Sequence, residues 1–158
     1  MDVAIRPVEA TDRDQIMLLA PRLLVGVDPS RPTDQVRAAI TCWVDDSVKE
    51  AGTQGHAGWV AEVDGSVIGF VSVSEEGHWC GETDAWIGEL MVDQRFERKG
   101  VARSLIAMVE GWAEQRGLGR IRLSTGAANH AARAFYERLG YSLNEVTMTR
   151  QLPVMPST

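Results

Sequence analysis

Between the apolar run WIGELMV and the periodic segment SLIAMVEGW lies Glu97-Arg98-Lys99-Gly100-Val101-Ala102-Arg103. A helix start exposes unpaired N–H groups and the positive end of its dipole, so a tight entry to one is suited to hold phosphate. Gly100 permits close approach and the small Ala102 keeps the path open. The successive amides of Arg98, Lys99, Gly100, Val101, Ala102 and Arg103 can form a nest for a pyrophosphate, with Arg95, Arg98, Lys99 and Arg103 adding positive charge. A P-loop is excluded because Lys99 precedes its glycine, and no GxGxxG fingerprint occurs. The competing reading is a solvated basic turn that caps a helix, and spacing alone does not separate the two.

A second concentration of chemistry is acidic. From Glu75 to Glu89 the chain carries Glu75, Glu76, Glu82, Asp84 and Glu89 without a Lys or Arg. Such a run is usually a solvated face. Because it leads into the strand before the basic loop, it is also expected to attract a cationic substrate and to hold a proton acceptor, with Glu89 the candidate. Asn129, ahead of a helical segment, reads as an N-cap. Cys42 and Cys80 are too few and too far apart for a zinc or CxxC pattern, and His56, His78 and His130 lack ligand spacing, so no metal is assigned.

The elements that must position these groups follow from periodicity. VAIRPV (3–8) alternates as a strand, and Thr11 and Asp14 offer a cap for a helix with Ile16, Leu19 and Leu23 on one face. PSRP marks a loop, and a second helix is predicted from Thr33 to about Ala51, with Val36, Ile40, Trp43 and Val44 at helical spacing. GWVAEV and SVIGFVSVS, joined by Asp64-Gly65, form a hairpin, and DAWIGELMV (84–92) is a further strand. Val101, Leu105, Val109 and Trp112 give the helix after the basic loop, with Gly117 as its C-cap. IRLST (121–125) is a short strand, a helix from Ala132 to Leu139 closes at Gly140, and YSLNEVTMTRQL holds the final strands. This order predicts a mixed α/β (α+β) domain with a central, largely antiparallel sheet flanked by helices.

The 158 residues are the size of one domain, taken here as 1–152, with 153–158 a flexible tail. A net charge of −6 disfavours nucleic acid as partner and favours cationic small molecules. No run approaches the ~18 apolar residues of a membrane span and the N-terminus has no apolar leader, so a cytoplasmic location without membrane contact is expected.

IGELMVDQRFERKGVARSLI and NHAARAFYERLGY together resemble the GNAT superfamily, the acyl-coenzyme A dependent N-acetyltransferases. The first family pattern is Arg or Gln, then Gly three residues on, then Gly or Ala after one more; the second is met at every position by Asn129, Ala132, Phe135, Tyr136, Gly140 and Tyr141. The likeness is best from about residue 84 to 142, and IRPVEATDRDQI looks like the family's first strand and helix. One position departs: Glu97 stands where the family has Arg or Gln, and a carboxylate there repels a pyrophosphate unless it is offset.

The resemblance implies a GNAT-like fold using acetyl-CoA as co-substrate, without metal, to acetylate a primary amine by direct attack. It implies that the sheet splays beside WIGELMV, so that the backbone of Leu90, Met91 and Val92 pairs with the pantetheine arm. It implies Tyr136 as the general acid for the departing thiolate and Asn129 as a hydrogen-bonding group near the pantetheine. Glu89 is the base proposed with them. The first two helices, from Leu24 to Trp43, and the loop at His78, Trp79 and Cys80 are expected to face the substrate. The expected partner is a small-molecule amine, and a homodimer is compatible with this reading. The alternatives are an acyl-CoA binding or sensing domain without turnover, a protein N-terminal or lysine acetyltransferase, and an interaction domain that uses the basic segment.

Overall fold

The structure, a computed structural model, describes residues 1–155. Strand β1 (Ala4–Pro7) leads through a 3-10 turn into helix α1 (Arg13–Leu19). Helix α2 (Thr33–Glu50), strands β2 (His56–Val63), β3 (Ser66–Gly77) and β4 (Thr83–Val92), helix α3 (Val101–Gln115), strand β5 (Ile121–Leu123) and helix α4 (His130–Arg138) follow. The strands form one five-stranded sheet in chain order, antiparallel from β1 to β4 and parallel between β4 and β5. This is the mixed, largely antiparallel sheet that the sequence predicts. The β2–β3 turn has positive φ at both Asp64 (49°) and Gly65 (78°), the conformation that matches hairpin twist.

Two apolar layers cover the sheet. On one face α3 packs Val101, Leu105, Ile106 and Val109 against Val71, Val73, Ala85 and Ile87, with Phe135, Tyr136 and Leu139 of α4 at its edge. On the other, Ile16 and Leu19 of α1 and Ile40, Val44 and Val48 of α2 cover Val60, Phe70 and Met91. Arg6 ties β1 to both neighbours: it donates to the buried Asp12 at 2.8 Å through each terminal nitrogen and to Glu62 on β2 at 2.9 Å. No helix among the described residues is long and apolar enough to cross a membrane.

Three expectations are corrected. Helix α1 ends at Leu19 and passes into a 3-10 turn, Ala20–Leu24, instead of continuing to Leu23. Pro21 is the cause, since it lacks the N–H for the α ladder and its ring crowds the carbonyl four residues back. The strand at IRLST is three residues, Ile121–Leu123. No strand forms in YSLNEVTMTRQL: residues 141–152 have no regular secondary structure, and Leu143, Val146, Met148 and Leu152 stand exposed. Alternation supplies a strand's side-chain pattern but not a ladder partner, and β5 is too short to offer one along this segment. Of the predicted flexible tail, residues 153–155 are exposed and outside any element, while 156–158 lie outside the described residues.

Phe70 is the largest side chain with no exposed surface. Phe70→Ala is expected to cost about 3–5 kcal/mol of stability, read from the midpoint shift in urea unfolding, because the two helices that cover it cannot collapse into the void.

Candidate active site

The β4–β5 ladder runs only from Ala85–Ile121 to Ile87–Leu123. From Gly88 to Val92 the β5 side of β4 has no strand partner among the described residues, and the sheet opens there into a cleft of about 1070 Å³. The opening coincides with a bulge. Val71 pairs with Leu90 and Val73 with Ile87, so Gly88 and Glu89 together oppose the single residue Ser72. The extra residue inverts the strand's phase. Ala85 and Ile87 pack in the α3 layer before it, whereas Leu90 and Val92 do so after it and Met91 joins the α1–α2 layer. Leu90 lines the cleft, as do Ser72 and Glu89.

Glu89 is 5% exposed and has no ion-pair partner among the described residues. Its backbone N–H donates to Ser72 Oγ at 3.1 Å, and the same hydroxyl donates to Glu89 Oε2. Burial pushes the carboxyl above its ordinary pKa, and bonds from Ser72 and from Ser47 on α2 partly oppose that rise. From the α4 side the half-buried Tyr136 lines the same cleft, edge-on to Phe135 at 5.2 Å and to Tyr141 at 5.5 Å between centroids. Its hydroxyl has no protein hydrogen-bond partner among the described residues, and burial, assisted by Tyr141, raises its pKa far above that of a free phenol. Burial, with Glu110 nearby, pushes Tyr141 up to about 12. The cleft thus holds a proton acceptor whose affinity for protons is increased and a donor that stays protonated.

Asn129 is the N-cap of α4: its Oδ1 accepts from Ala132 N–H at 3.2 Å and its Nδ2 donates to Val25 O at 3.4 Å. The second bond holds the α1–α2 connection across the cleft. Two glycines allow the approach. A Cβ on Gly26, where φ is +82°, would lie 2.6 Å from Asn129 Cβ, and one on Gly126 would lie 2.0 Å from Gly26 O.

At the basic segment, Asp93 caps a 3-10 turn, Gln94–Phe96, by accepting from Arg95 N–H at 2.9 Å, and it also pairs with the Arg95 guanidinium. Arg98 (φ 58°) and Gly100 (φ 80°) then take left-handed conformations, and α3 starts without a side-chain cap. Among the described residues the amides of Arg98 to Arg103 donate to no protein acceptor, the first being taken up at Ser104, which bonds Gly100 O at 3.0 Å. Arg98, Lys99 and Arg103 form no ion pair among the described residues, while Glu97 is paired with Arg22 from the turn after α1. The geometry is that of an anion nest with a neutralised carboxylate beside it.

The acidic run is largely neutralised, contrary to the expectation of an open field: Glu75 pairs with Arg116 at 3.2 Å, Glu82 with Arg120, and Asp84 with Arg122 at 3.6 Å. His78, Trp79 and Cys80 do not line the cleft. Negative charge reaches it instead from Asp28, Asp46, Glu50, Glu76 and Glu89, against Arg22 and Arg31. Trp43, at the end of the segment expected to face the substrate, does line the cleft; Asp46, Ser47 and Glu50, which follow it on α2, were the missed residues. Their spacing of three, four and seven from Trp43 on α2 is the signal that one polar face of that helix looks into the cleft.

Residues 26–141 match the Acetyltransferase (GNAT) family. The uncharacterized N-acetyltransferase MJ1207 of Methanocaldococcus jannaschii is 34% identical over 92 residues, which are 56% of this chain and 40% of that protein. The chain spans about two fifths of the length of such curated relatives. A GCN5-related N-acetyltransferase from Ralstonia eutropha JMP134 superimposes with a TM-score of 0.74 at 17% identity, covering 96% of this chain and 99% of that one. AAC(6')-Iy in complex with the bisubstrate analog CoA-S-monomethyl-acetylneamine does so with a TM-score of 0.72 at 21% identity, covering 98% and 100%. At these identities the structures share the fold.

Gly126→Ala leaves the backbone unstrained and adds one methyl group against Gly26 O. The expected result is a displaced crossing segment, read as faster hydrogen exchange at Val25 and Val27, with a stability loss of about 1–3 kcal/mol.

Proposed function

The chain belongs to the Acetyltransferase (GNAT) family, and on that premise we propose that it transfers an acetyl group from acetyl-CoA to a primary amine of a small cationic molecule, by direct attack within a ternary complex. The observation that carries this reading is the pairing, in one cleft, of the buried Glu89 carboxylate and the Tyr136 phenol, each with a raised pKa.

The free amides from Arg98 to Arg103 and the cations Arg98, Lys99 and Arg103 suit the pyrophosphate of the co-substrate. The unpaired side of β4 at Leu90, Met91 and Val92 suits an extended amide-bearing arm, which adds to a sheet edge as a strand does. Asn129 borders the same space, with one amide proton left after its bond to Val25 O. The carboxylates of Asp28, Asp46, Glu50 and Glu76 favour an amine that arrives charged.

An alkylammonium, with a pKa near ~10.4, must lose a proton before its nitrogen can attack the thioester carbonyl carbon. Glu89, directly or through one water, accepts that proton. Burial improves it for the task, because a base is more effective as its pKa approaches that of the group it deprotonates. The new C–N bond forms, the C–S bond breaks, and the departing sulfur takes the phenolic proton of Tyr136, which is restored by the proton that the attacking nitrogen releases.

Three outcomes are expected. Gly100→Asp brings bulk and a like charge to the nest and should abolish acetyl-CoA binding in calorimetry; unchanged binding would remove the loop from the site. Tyr136→Phe keeps the ring and loses only the hydroxyl, so kcat should fall by ~10²- to 10⁴-fold with little change in acetyl-CoA affinity. Thiol release from acetyl-CoA with a panel of diamines, aminosugars and peptide amino termini reads the rate and tests the substrate class: a preference for uncharged amines refutes it.

A fourth outcome concerns pH. Glu89 acts when ionised, so kcat/KM should rise through its raised pKa, and Glu89→Gln should lose most activity near neutral pH and least at pH 9, where more amine is already neutral. The stability sign is opposite. A carboxyl with a raised folded-state pKa contributes stability that is present below its unfolded pKa and is lost as pH rises through the folded one. Glu89→Gln should therefore raise Tm relative to wild type at pH 7 and lose that advantage at acid pH.

A further inference from the structure

Among the described residues, four polar side chains are buried: Asp12, Ser72, Asp84 and Glu89. Asp12 is held by Arg6 and Asp84 by Arg122. Ser72 differs, because every hydrogen bond of its side chain goes to Glu89. We infer that Ser72 is a positioning residue for the transfer, a hydroxyl that fixes the direction of the Glu89 carboxylate; the inference rests on the reading of Glu89 as the base.

A serine hydroxyl has one proton to donate and lone pairs to accept. The Glu89 N–H donates to one of those lone pairs at 3.1 Å, which turns the hydroxyl proton toward Oε2 of the same residue. Backbone and carboxylate of Glu89 are thereby locked through a single atom at the point where β4 carries its extra residue. The neighbour is shaped for this contact: a Cβ on Gly88 would lie 2.7 Å from Ser72 Oγ. Ser47 reaches the same carboxylate from α2. A carboxylate so held presents its remaining lone pairs to the cleft in one orientation, and general-base catalysis is sensitive to that orientation.

The bond also sets proton affinity. Donation by Ser72 stabilises the ionised form, so its loss moves the carboxyl pKa further upward. The other charged or titratable groups that line this space are Asp46 and Glu50 on α2, His56 on β2, Glu76 on β3, Arg22, Asp28 and Arg31 between α1 and α2, and Tyr136 on α4. None of them bonds to Glu89 among the described residues, and burial, Ser72 and Ser47 are the influences on its acidity. A change at Ser72 is therefore read directly in the titration of Glu89.

The test is the pH profile of kcat/KM between pH 5 and 9, with acetyl-CoA and the best amine of the panel, for wild type, Ser72→Ala, Ser72→Cys, Ser47→Ala and Glu89→Gln, beside urea unfolding of each. Ser72→Ala should shift the acid limb upward by about one pH unit, the change expected for loss of one hydrogen bond to a charged group. Ser47→Ala should shift it in the same direction by less. Ser72→Cys keeps a side chain at this position, somewhat larger and with only a weak donor, so it supplies the shift if the alanine variant does not fold. A limb that vanishes in Glu89→Gln but stays at the wild-type position in the Ser72 variants, whatever their stability, overturns the role of Ser72. A limb that persists in Glu89→Gln removes Glu89 as the base, and the inference falls with it.

Discussion

The cleft depends on one irregularity in β4, where Gly88 and Glu89 stand opposite Ser72. A strand of strict period two would send residue 89 to the same face as Ala85 and Ile87, among Leu105 and Ile106 of α3. A carboxylate there would meet only hydrocarbon and would have to be protonated or expelled. The extra residue sends Glu89 to the α2 side instead, where Ser72 and Ser47 supply donors. It also hands the α3 layer to Leu90 and Val92, so the core stays continuous on both sides of the bulge. The same place marks the end of β4–β5 pairing, which ceases at Ile87. Bending of the bulged strand and loss of its neighbour open the sheet where Glu89 and Tyr136 line the cleft.

Charge is distributed by pairing more than by composition. The chain has a net charge of −6, yet most of its conspicuous acidic run is neutralised by Arg116, Arg120 and Arg122. Arg95 is likewise consumed by Asp93. Among the charges that form no ion pair within the described residues, two groups stand together: Arg98, Lys99 and Arg103 at the start of α3, and Asp28, Asp46 and Glu76, with Arg31 beside them, around the cleft. The first set suits an anionic co-substrate and the second a cationic one. At their border Arg22 pairs with Glu97, which removes the repulsion that this carboxylate would otherwise exert on a phosphate in the nest.

Local signals carried most of the fold. Asp64-Gly65 dictated its turn, since both residues tolerate positive φ, and the period of Val101, Leu105 and Val109 dictated the buried face of α3. Gly100 was legible because a helix entry beside basic residues has a physical meaning of its own. The bulge was not, because Ile87, Gly88, Glu89 and Leu90 read equally well as an unbroken strand and the defect exists only relative to the partner. The neutralised acidic run was hidden for the same reason: Glu75 and Arg116 are 41 residues apart in sequence. Asn129 supported two readings, and the structure gives it the N-cap role together with a bond to Val25 that no local pattern encodes. The local alternation at Val146 and Met148 found no ladder to join.

One physical effect, desolvation, tunes both groups to which the proposed transfer assigns a proton, and it acts in opposite functional senses. On Tyr136 it disfavours the phenolate, so the side chain remains a proton donor beyond the pH at which a free phenol would ionise, suited to protonate a thiolate and idle toward the weaker base, water. On Glu89 it disfavours the carboxylate, so the side chain becomes a stronger base but stays ionised over a narrower pH range. Burial without limit would defeat the second purpose, since a carboxyl protonated at neutral pH accepts nothing. The hydroxyls of Ser72 and Ser47 set that limit by returning part of the solvation that burial removes. The phenol needs no such correction and has no hydrogen-bonding partner among the described residues, so the two serine hydroxyls stand at the group on which unopposed desolvation would go too far.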